Sequence, residues 1–366
     1  MRFPEFSGEW KSIPISTIAD IIGGGTPDTS VDEYWGGNIQ WFTPSEIGKE
    51  KYAYLSDRTI TEAGLKNSSA KLLPQGTVLL STRATIGECS IATAECTTNQ
   101  GFQSLVAKEN NVSSEFLYYI VAKIKREMLR RSCGSTFLEI SANELKKIHA
   151  NIPSKAEQEK LVSLLSLIDQ RIETQKKIIE DLKRLKYAIS KRVFENHGSS
   201  NSMLLGKVAD IYQPQTIPTS WLNDALQYPV YGANGVIGKY SEYNHENSQI
   251  CIACRGNTCG TVNYSEPKSW ITGNAMVINT DRYDVNKRFL FHQLCIVNYS
   301  TIISGSGQPQ IVRAPLEKMK IWFPDEDVQE RIATLFDTIE ERVLIEETTL
   351  ILAERMKQYL LSQLFI

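Results

Sequence analysis

The feature that most constrains the fold is an internal repeat in which residues 171 positions apart match. The match begins at Gly134-Ser135 and Gly305-Ser306 and continues without a gap to Phe194 and Phe365. Its identical pairs include Ile140/Ile311, Leu145/Leu316, Lys147/Lys318, Pro153/Pro324, Gln158/Gln329, Leu164/Leu335, Ile168/Ile339, Arg171/Arg342, Arg184/Arg355 and Lys186/Lys357. Chance does not hold one register for so long, so the chain contains two copies of one structural unit.

Upstream, the repeat continues with gaps. Residues 18–21 (IADI) match residues 208–211 (VADI), Arg83 matches Arg255, and Asn99 roughly matches Asn274. Arg83 follows the first of these segments at a greater distance than Arg255 follows the second. The two copies therefore share a framework and differ in their loops.

The second half of each repeat has the apolar spacing of a long helix. In the first copy the heptad positions are Leu161, Leu165, Ile168, Ile172, Gln175, Ile179, Leu182, Lys186, Ile189 and Val193. Shifted by 171, they become Ile332, Phe336, Ile339, Val343, Glu346, Leu350, Ala353, Lys357, Leu360 and Leu364. Such a seam predicts that the two helices pack on each other as a coiled coil. The alternative is two separate amphipathic helices, each packed on its own domain.

Charge favours the pairing of the helices. Residues 154–197 carry ten Lys/Arg and seven Asp/Glu, whereas residues 325–366 carry four and ten. Opposite net charges attract. Each predicted helix begins after a proline, Pro153 or Pro324. The sequence thus predicts four parts: a globular domain over 1–153, a long helix over 154–197, a related domain over 198–324 and a second long helix over 325–366.

The two globular domains are predicted to be mixed α+β. Short β-rich runs at residues 77–81, 249–253 and 275–278 alternate with Gly, Asn, Ser and Thr turns. Helical patterns cover residues 116–131 and 287–303. Residues 197–202 (HGSSNS) are predicted to link the first long helix to the second domain.

Composition and motifs argue against several classes of protein. Seven cysteines in a chain of 366 residues do not form a disulfide pattern, and no long apolar run or signal peptide is found, so we expect a cytoplasmic protein without a membrane partner. Residues 23–27 (GGGTP) lack the rest of a phosphate-binding motif and predict a turn that brings the backbone close to a binding partner. We expect no catalytic residue, no metal site and no cofactor in this chain.

Two domains with one framework and different loops, held by a helical rod, suit the reading of two unlike elements on double-stranded DNA. Arginine suits guanine edges, whereas asparagine and glutamine suit adenine edges. The candidate DNA-binding residues are Thr26, Trp41, Arg83, Thr85, Asn99, Gln100, Ser135, Thr136, Asn234, Arg255, Asn257, Asn274, Gln308 and Gln310. The alternative is that these are turn residues that bond to the local backbone, and that Trp41 belongs to the core.

A basic helix end offers candidate phosphate contacts beside residues 134–136. These are Lys125, Arg126, Arg130 and Arg131. The alternative is a solvated helix face.

Residues 152–161 (IPSKAEQEKL), 164–169 (LLSLID) and 182–186 (LKRLK) resemble the central conserved region of type I restriction-modification specificity subunits. Residues 323–332 and 364–365 resemble the distal conserved region of that family. Residues 18–21, 24–27 and 98–102 resemble the framework of its first target-recognition domain. The segment 228–235 (YPVYGANG) departs from this framework because it does not repeat the GGGTP segment.

The resemblance implies two target-recognition domains separated by two long antiparallel helices. Each domain is implied to read one half of a split, asymmetric DNA site. The helices are implied to set the spacer and to dock two adenine methyltransferase subunits that carry the S-adenosylmethionine chemistry, with motor/endonuclease subunits completing the complex. Two alternatives remain open: the specificity subunit of a related double-cutting restriction system, and a coiled-coil assembly scaffold that does not bind DNA.

Overall fold

The computed structural model describes residues 2–134, 138–195, 201–305 and 307–365. The chain divides into two compact units, one formed by residues 1–175 with 349–366 and the other by residues 176–348. Each unit contains one globular domain and part of both long helices. Among the described helices we find none with the length and hydropathy that a membrane crossing requires.

The first globular domain is built mainly of short strands. Its strands are β1 (Lys11–Pro14), β2 (Ala19–Gly23), β3 (Trp35–Phe42), β4 (Tyr52–Ala53), β5 (Arg58–Ile60), β6 (Val78–Leu80), β7 (Cys89–Ala92), β8 (Cys96–Thr98), β9 (Gln103–Ala107) and β10 (His149–Ile152). Its helices are α1 (Ile15–Ile18), α2 (Glu62–Lys66), α3 (Ser114–Arg131) and α4 (Ala142–Lys146). The long helix α5 (Lys155–Glu195) follows.

The strands of the first domain form three sheets. The largest has the order β2-β9-β6-β7-β4, a second has the order β5-β3-β8, and β1 pairs with β10. The helix α3 covers the core of the largest sheet through Phe116, Ile120 and Ile124, which are buried. Ser113 caps α3 because its side chain accepts a hydrogen bond from the backbone N–H of Phe116.

The second globular domain has fewer strands. They are β11 (Ser202–Leu204), β12 (Asp210–Tyr212), β13 (Tyr228–Gly232), β14 (Gly235–Tyr240), β15 (Ile250–Ala253), β16 (Val262–Tyr264), β17 (Trp270–Ile271), β18 (Ala275–Asn279) and β19 (Lys320–Trp322). The helices are α6 (Lys287–Leu294), α7 (Arg313–Glu317) and the long α8 (Glu326–Leu364). Short 3₁₀ turns in the two domains are Asp32–Tyr34, Pro44–Glu46, Leu205–Lys207, Thr219–Trp221 and Tyr299–Thr301.

The sheets of the two domains follow one plan, as the repeat predicts. The order β12-β18-β15-β16 corresponds to β2-β9-β6-β7, the order β14-β13-β17 corresponds to β5-β3-β8, and the pair β11-β19 corresponds to β1-β10. In both domains the middle strand of the smaller sheet pairs antiparallel on one side and parallel on the other. The mixed α+β class and the internal duplication are confirmed.

The prediction of one helix over residues 287–303 was wrong in its extent, because α6 ends at Leu294. The Tyr299 hydroxyl donates to the backbone oxygen of Leu294 and satisfies a carbonyl at the helix end. Asn298 then caps a separate 3₁₀ turn by accepting from the backbone N–H of Ser300. Side-chain bonds to the backbone therefore break the helix where its apolar pattern continues.

The predicted seam is on the inner faces of the two long helices. In the first unit, Ile168, Ile172 and Ala353 share one apolar cluster. In the second unit, Lys183 pairs with Glu347, Lys186 pairs with Glu340, and the Phe194 ring stacks on Phe336. Partner numbers fall as residue numbers in α5 rise, so the helices run antiparallel. The polar seam residues Gln175 and Glu346 are each 6% exposed, as their heptad positions predict.

Candidate nucleic-acid interface

The loop between β6 and β7 presents two of the candidate residues, Arg83 and Thr85, to solvent. The loop is closed by the backbone N–H of Gly87, which donates to the oxygen of Ser81, and by a 2.9 Å contact between the Ser81 and Thr85 hydroxyls. Ala84, at the tip, has a φ of 57°, in the left-handed region that favours glycine. The turn is tight and exposes the arginine beside it.

Arg83 pairs with a neighbouring carboxylate that the sequence analysis missed. Its backbone forms an antiparallel bridge with Glu139, and its Nε lies 2.8 Å from a carboxylate oxygen of Glu139. Glu139 also bridges to Cys133. The repeat would have identified this residue, because Glu139 lies 171 positions before Gln310.

The second domain repeats this arrangement around Arg255. Arg255 bridges to Gln310, and Gln310 bridges to Ser304, in the places of Arg83, Glu139 and Cys133. Gly256, which corresponds to Ala84, has a φ of 81°. Arg255 is exposed, and we find no ion pair for it within the described residues. The two domains thus present equivalent arginines beside different partners, a carboxylate in the first and an amide in the second.

Three further candidates of the first domain lie on two loops next to Arg83: Thr26 follows β2, and Asn99 and Gln100 lie between β8 and β9. The Thr26 hydroxyl donates to the Gln100 side-chain oxygen at 2.5 Å. The side-chain oxygen of Asn99 accepts from the backbone N–H of Gly101 at 2.8 Å, as the alternative of a turn residue predicts. The backbone N–H of Thr82 donates to the backbone oxygen of Gly101. This bond joins the β8–β9 loop to residues 81–88, the loop that carries Arg83 and is called the arginine loop below. The structure therefore brings Thr26, Arg83, Thr85, Asn99 and Gln100 onto adjoining loops.

The glycine-rich segment 23–27 fits closely against the loop that carries Asn99. A Cβ on Gly24 would lie 2.1 Å from the backbone oxygen of Asn99. In the second domain the glycine is on the other side of the contact, because a Cβ on Gly273 would lie 2.8 Å from the backbone oxygen of Pro214. The close approach of the GGGTP backbone in the structure is therefore to the chain's own loop, and its approach to a binding partner stays a prediction.

Four candidates of the second domain lie around Arg255. The backbone N–H of Cys254 donates to Asn274, and that of Gly256 donates to Pro309, between Gln308 and Gln310. Asn257 and Gln308 are exposed, whereas Gln310 is half-buried. Asn234 is exposed at the tip of the β13–β14 hairpin, whose Ala233 oxygen accepts a hydrogen bond from the Asn263 side chain. This hydrogen bond joins the hairpin tip to the middle of β16.

Trp41 does not present its ring to a ligand. The side chain is 5% exposed, its Nε1 donates to the backbone oxygen of Gly25 at 2.9 Å, and its ring packs edge-on against Trp35. The expectation that Trp41 contacts DNA is therefore replaced by its alternative, a core role. Ser135 and Thr136, two further candidates, lie outside the described residues.

The four basic candidates at the end of α3 differ in their ion-pair partners. Lys125 pairs with Glu88 at 2.6 Å and lies against Gly87 of the arginine loop. Arg130 and Arg131 both form ion pairs with Glu127. Their hydrogen bonds lower the pKa of the Glu127 carboxyl, and the larger effect comes from Arg131. Arg126 is exposed, and no ion pair of it is recorded in the described part of the chain.

Comparisons with known proteins agree with the duplicated fold. A family model described as the type I restriction modification DNA specificity domain matches residues 7–184 and again residues 200–355. The type I restriction enzyme MjaIX specificity subunit of Methanocaldococcus jannaschii is 40% identical over 190 residues, covering 51% of this chain and only 44% of that protein. The EcoprrI specificity subunit of Escherichia coli is 25% identical over 351 residues, covering 90% of this chain and 86% of that protein.

A solved structure has the same fold. The crystal structure of a type I restriction-modification system S subunit from M. genitalium has a TM-score of 0.66 at 16% identity, with 100% of this chain and 99% of that chain covered. A structure titled for complex assembly and conformational transition of the type I R-M system gives a TM-score of 0.62 at 16% identity, covering 99% and 98%.

Proposed function

Because the chain belongs to the type I restriction-modification DNA specificity family, with two copies of its domain, we propose that it supplies DNA sequence recognition to a complex whose other subunits modify and cut the DNA. The chain is non-catalytic alone in this proposal. The S-adenosylmethionine chemistry and the endonuclease belong to partner subunits, and the chain works in the cytoplasm, where the DNA is.

The observation that carries the proposal is the equivalence of Arg83 and Arg255. Both follow a central strand of the larger sheet, both are exposed, and both bridge to residues 171 positions apart, Glu139 and Gln310. A guanidinium presents paired donors that match the O6 and N7 acceptors of guanine. Since the surrounding loops differ, each domain reads a different half of a split site.

The remaining roles follow from position. In the first domain, Thr26, Thr85, Asn99 and Gln100 adjoin Arg83 and contact bases. In the second domain, this role falls to the polar residues Asn234, Asn257, Asn274, Gln308 and Gln310. Lys125 and Arg126 contact phosphates, because α3 brings Lys125 against the arginine loop.

The long helices supply the docking surface for two methyltransferase subunits in this proposal. Leu185 and Met356 are 171 positions apart, and they are 52% and 48% exposed because they lie outside the seam between the two helices. Equivalent exposed apolar residues on two helices suit two copies of one partner. Replacing Leu185 or Met356 by Glu should remove one methyltransferase subunit each, as measured by the mass of the purified complex. Two retained subunits in both variants would contradict this surface.

The helices also set the spacer between the half-sites in this proposal. One heptad of helix adds about 10.5 Å. Inserting one heptad into each long helix should widen the spacer and leave both half-sites unchanged. An unchanged spacer would contradict this role.

Selection from random duplex DNA tests the proposal against the scaffold alternative. The full chain, bound to its methyltransferase partner, is incubated at low salt with a random duplex pool, and the retained DNA is sequenced. We expect a consensus of two separated half-sites. The control is a variant with Ala at both Arg83 and Arg255, and the DNA that it retains should show no such consensus. Complex formation without any DNA consensus would support the scaffold instead.

A further inference from the structure

The first unit contains a cleft between α3, β10 and Phe365, which directly follows α8. Its volume is 340 Å³. The floor is apolar and includes Ile120, Ile124 and Phe365. Phe365 is 3% exposed and stacks on Phe116, so the floor is anchored in the core of the domain. The cleft lies toward the C-terminal end of α3. None of its described lining residues belongs to the arginine loop.

The rim of the cleft is basic. Among the described residues that line it, Lys123, Arg130 and Arg131 are basic and Glu127 is acidic, so these four side chains carry a net charge of +2. Both arginines pair with Glu127, Arg131 also pairs with Glu144 outside the rim, and Lys123 donates to the backbone oxygen of Phe365. His149, on β10, is exposed at the same rim. The rim therefore favours a ligand that brings negative charge.

The second domain shows what occupies the equivalent place. Trp322 corresponds to Asn151, the cleft residue 171 positions earlier. The Trp322 ring packs edge-on against Phe194, which corresponds to Phe365, with ring centroids 6.4 Å apart. It shares an apolar cluster with Ile296.

The rings that contact Trp322 place it at the counterpart of the cleft floor. The N-caps Ser113 and Asn286 align α3 with α6 at an offset of 173, and by that offset Phe289 corresponds to Phe116. The Trp322 ring also packs edge-on against Phe289, with ring centroids 5.9 Å apart. An indole of the second domain thus lies on the counterparts of Phe116 and Phe365, the two stacked rings at the cleft floor of the first domain.

We propose that the cleft receives an aromatic side chain carried on an acidic segment of another protein. The aromatic group is indicated by the indole at the equivalent place, and the carboxylates are indicated by the rim charge. A DNA phosphate would engage the rim and leave the apolar floor bare, so the floor favours protein over DNA. In this assignment Arg130 and Arg131 bind the partner's carboxylates, and the phosphate role stays with Lys125 and Arg126.

The test uses the full chain and an acetylated, amidated pentapeptide, Glu-Asp-Trp-Asp-Glu, with binding measured by titration calorimetry. Asn151→Trp fills the cleft with the residue that the repeat has at this position, so the variant should fold. Asn110→Trp, at an exposed turn of the same domain, is the matched control. We expect peptide binding to wild type and to Asn110→Trp, and binding about tenfold weaker or worse to Asn151→Trp, as for loss of an aromatic anchor pocket.

A second variant tests the rim, because Arg130→Glu changes a side chain that is 75% exposed and leaves the floor intact. It should weaken binding of the acidic peptide and spare Lys-Lys-Trp-Lys-Lys. Equal affinity of wild type and Asn151→Trp for the acidic peptide would overturn the proposal. So would equal binding when Ala replaces Trp in the peptide, or a duplex DNA affinity that Asn151→Trp reduces as much as it reduces peptide affinity.

Discussion

Lys186 of α5 and Glu340 of α8 form an ion pair with 2.5 Å between Nζ and Oε1, and the residues 171 positions from each, Lys357 and Asp169, form an ion pair of 2.6 Å. In the first unit the acid comes from α5, and in the second it comes from α8. A residue of each globular domain joins its cluster: the Tyr119 hydroxyl donates to Asp169, and His292 lies 2.8 Å from Asp337, one turn before Glu340. Each of these domain residues therefore contacts the long helix that supplies the acid, α5 in the first unit and α8 in the second.

The His292 cluster predicts that the second unit loses stability in mild acid. Burial lowers the pKa of His292 below its ordinary value of 6.5, despite its hydrogen bond with Asp337. Since the unfolded chain then binds the proton more readily, the free energy of unfolding falls as the pH falls below about 6.5. The groups facing the imidazole are Asp337 and Glu340 from α8, Arg288 from α6 and Lys186 from α5.

The carboxylates add to the loss at lower pH. Burial raises the pKa of Asp337 and of Glu340, but hydrogen bonds from Arg288 and His292 to Asp337, and from Lys186 to Glu340, outweigh it and lower both. Their contribution is lost as the pH falls through those lowered values. Hydrogen exchange of the α6 amides between pH 7.5 and 5.5 should show faster opening in acid, and His292→Gln should remove most of this dependence. An identical pH dependence in that variant would contradict the assignment.

Replacing Arg255 by Ala should relax recognition in one half of the DNA site. Loss of a bidentate contact to guanine costs about 1–3 kcal/mol of discrimination at that base. Arg83→Ala should relax the other half. The readout is the consensus selected from random duplexes. A uniform loss of affinity with both half-sites unchanged would identify the arginine as a phosphate contact.

Glu139→Gln should strengthen DNA binding by the first domain without a change in stability. The ion pair with Arg83 is between side chains that are 45% and 36% exposed, and such pairs contribute about 0–1 kcal/mol. The variant has the amide that the second domain has in Gln310, and it removes a negative charge that repels phosphates. Fluorescence anisotropy with a labelled duplex measures the effect, and weaker binding would mean that Glu139 orients Arg83.

Gly24→Ala should destabilise the first domain by about 2 kcal/mol, because the new methyl group would overlap the backbone of Asn99. The displaced loop carries Asn99 and Gln100, so the first half-site should be lost as well. Gly8→Ala is the matched control, since its Cβ has no atom within 4 Å. Urea unfolding measures both variants. Equal urea midpoints for the two variants would show that the loop moves aside without a loss of stability.

The long helices and their seam could be predicted from the sequence because helical periodicity is a local property, and the repeat supplied a second copy of every heptad position. The end of α6 could not, because it depends on bonds made by Tyr299 and Asn298. The ion pair between Arg83 and Glu139 is not visible in any local sequence pattern, because it joins segments that are far apart in the chain. Two exchanges between the copies, Gly24 for Gly273 and Asn151 for Trp322, are visible only once the facing loops and helices are placed.

The most direct test of the central claim is long-read methylome sequencing of cells that express this chain with its methyltransferase subunit. The account predicts one split motif with a methylated adenine in each half, and Arg255→Ala should degenerate one half while the other persists. An assembled complex that leaves no split motif in the genome, or a motif in which both halves change together in Arg255→Ala, would contradict reading by two separate domains.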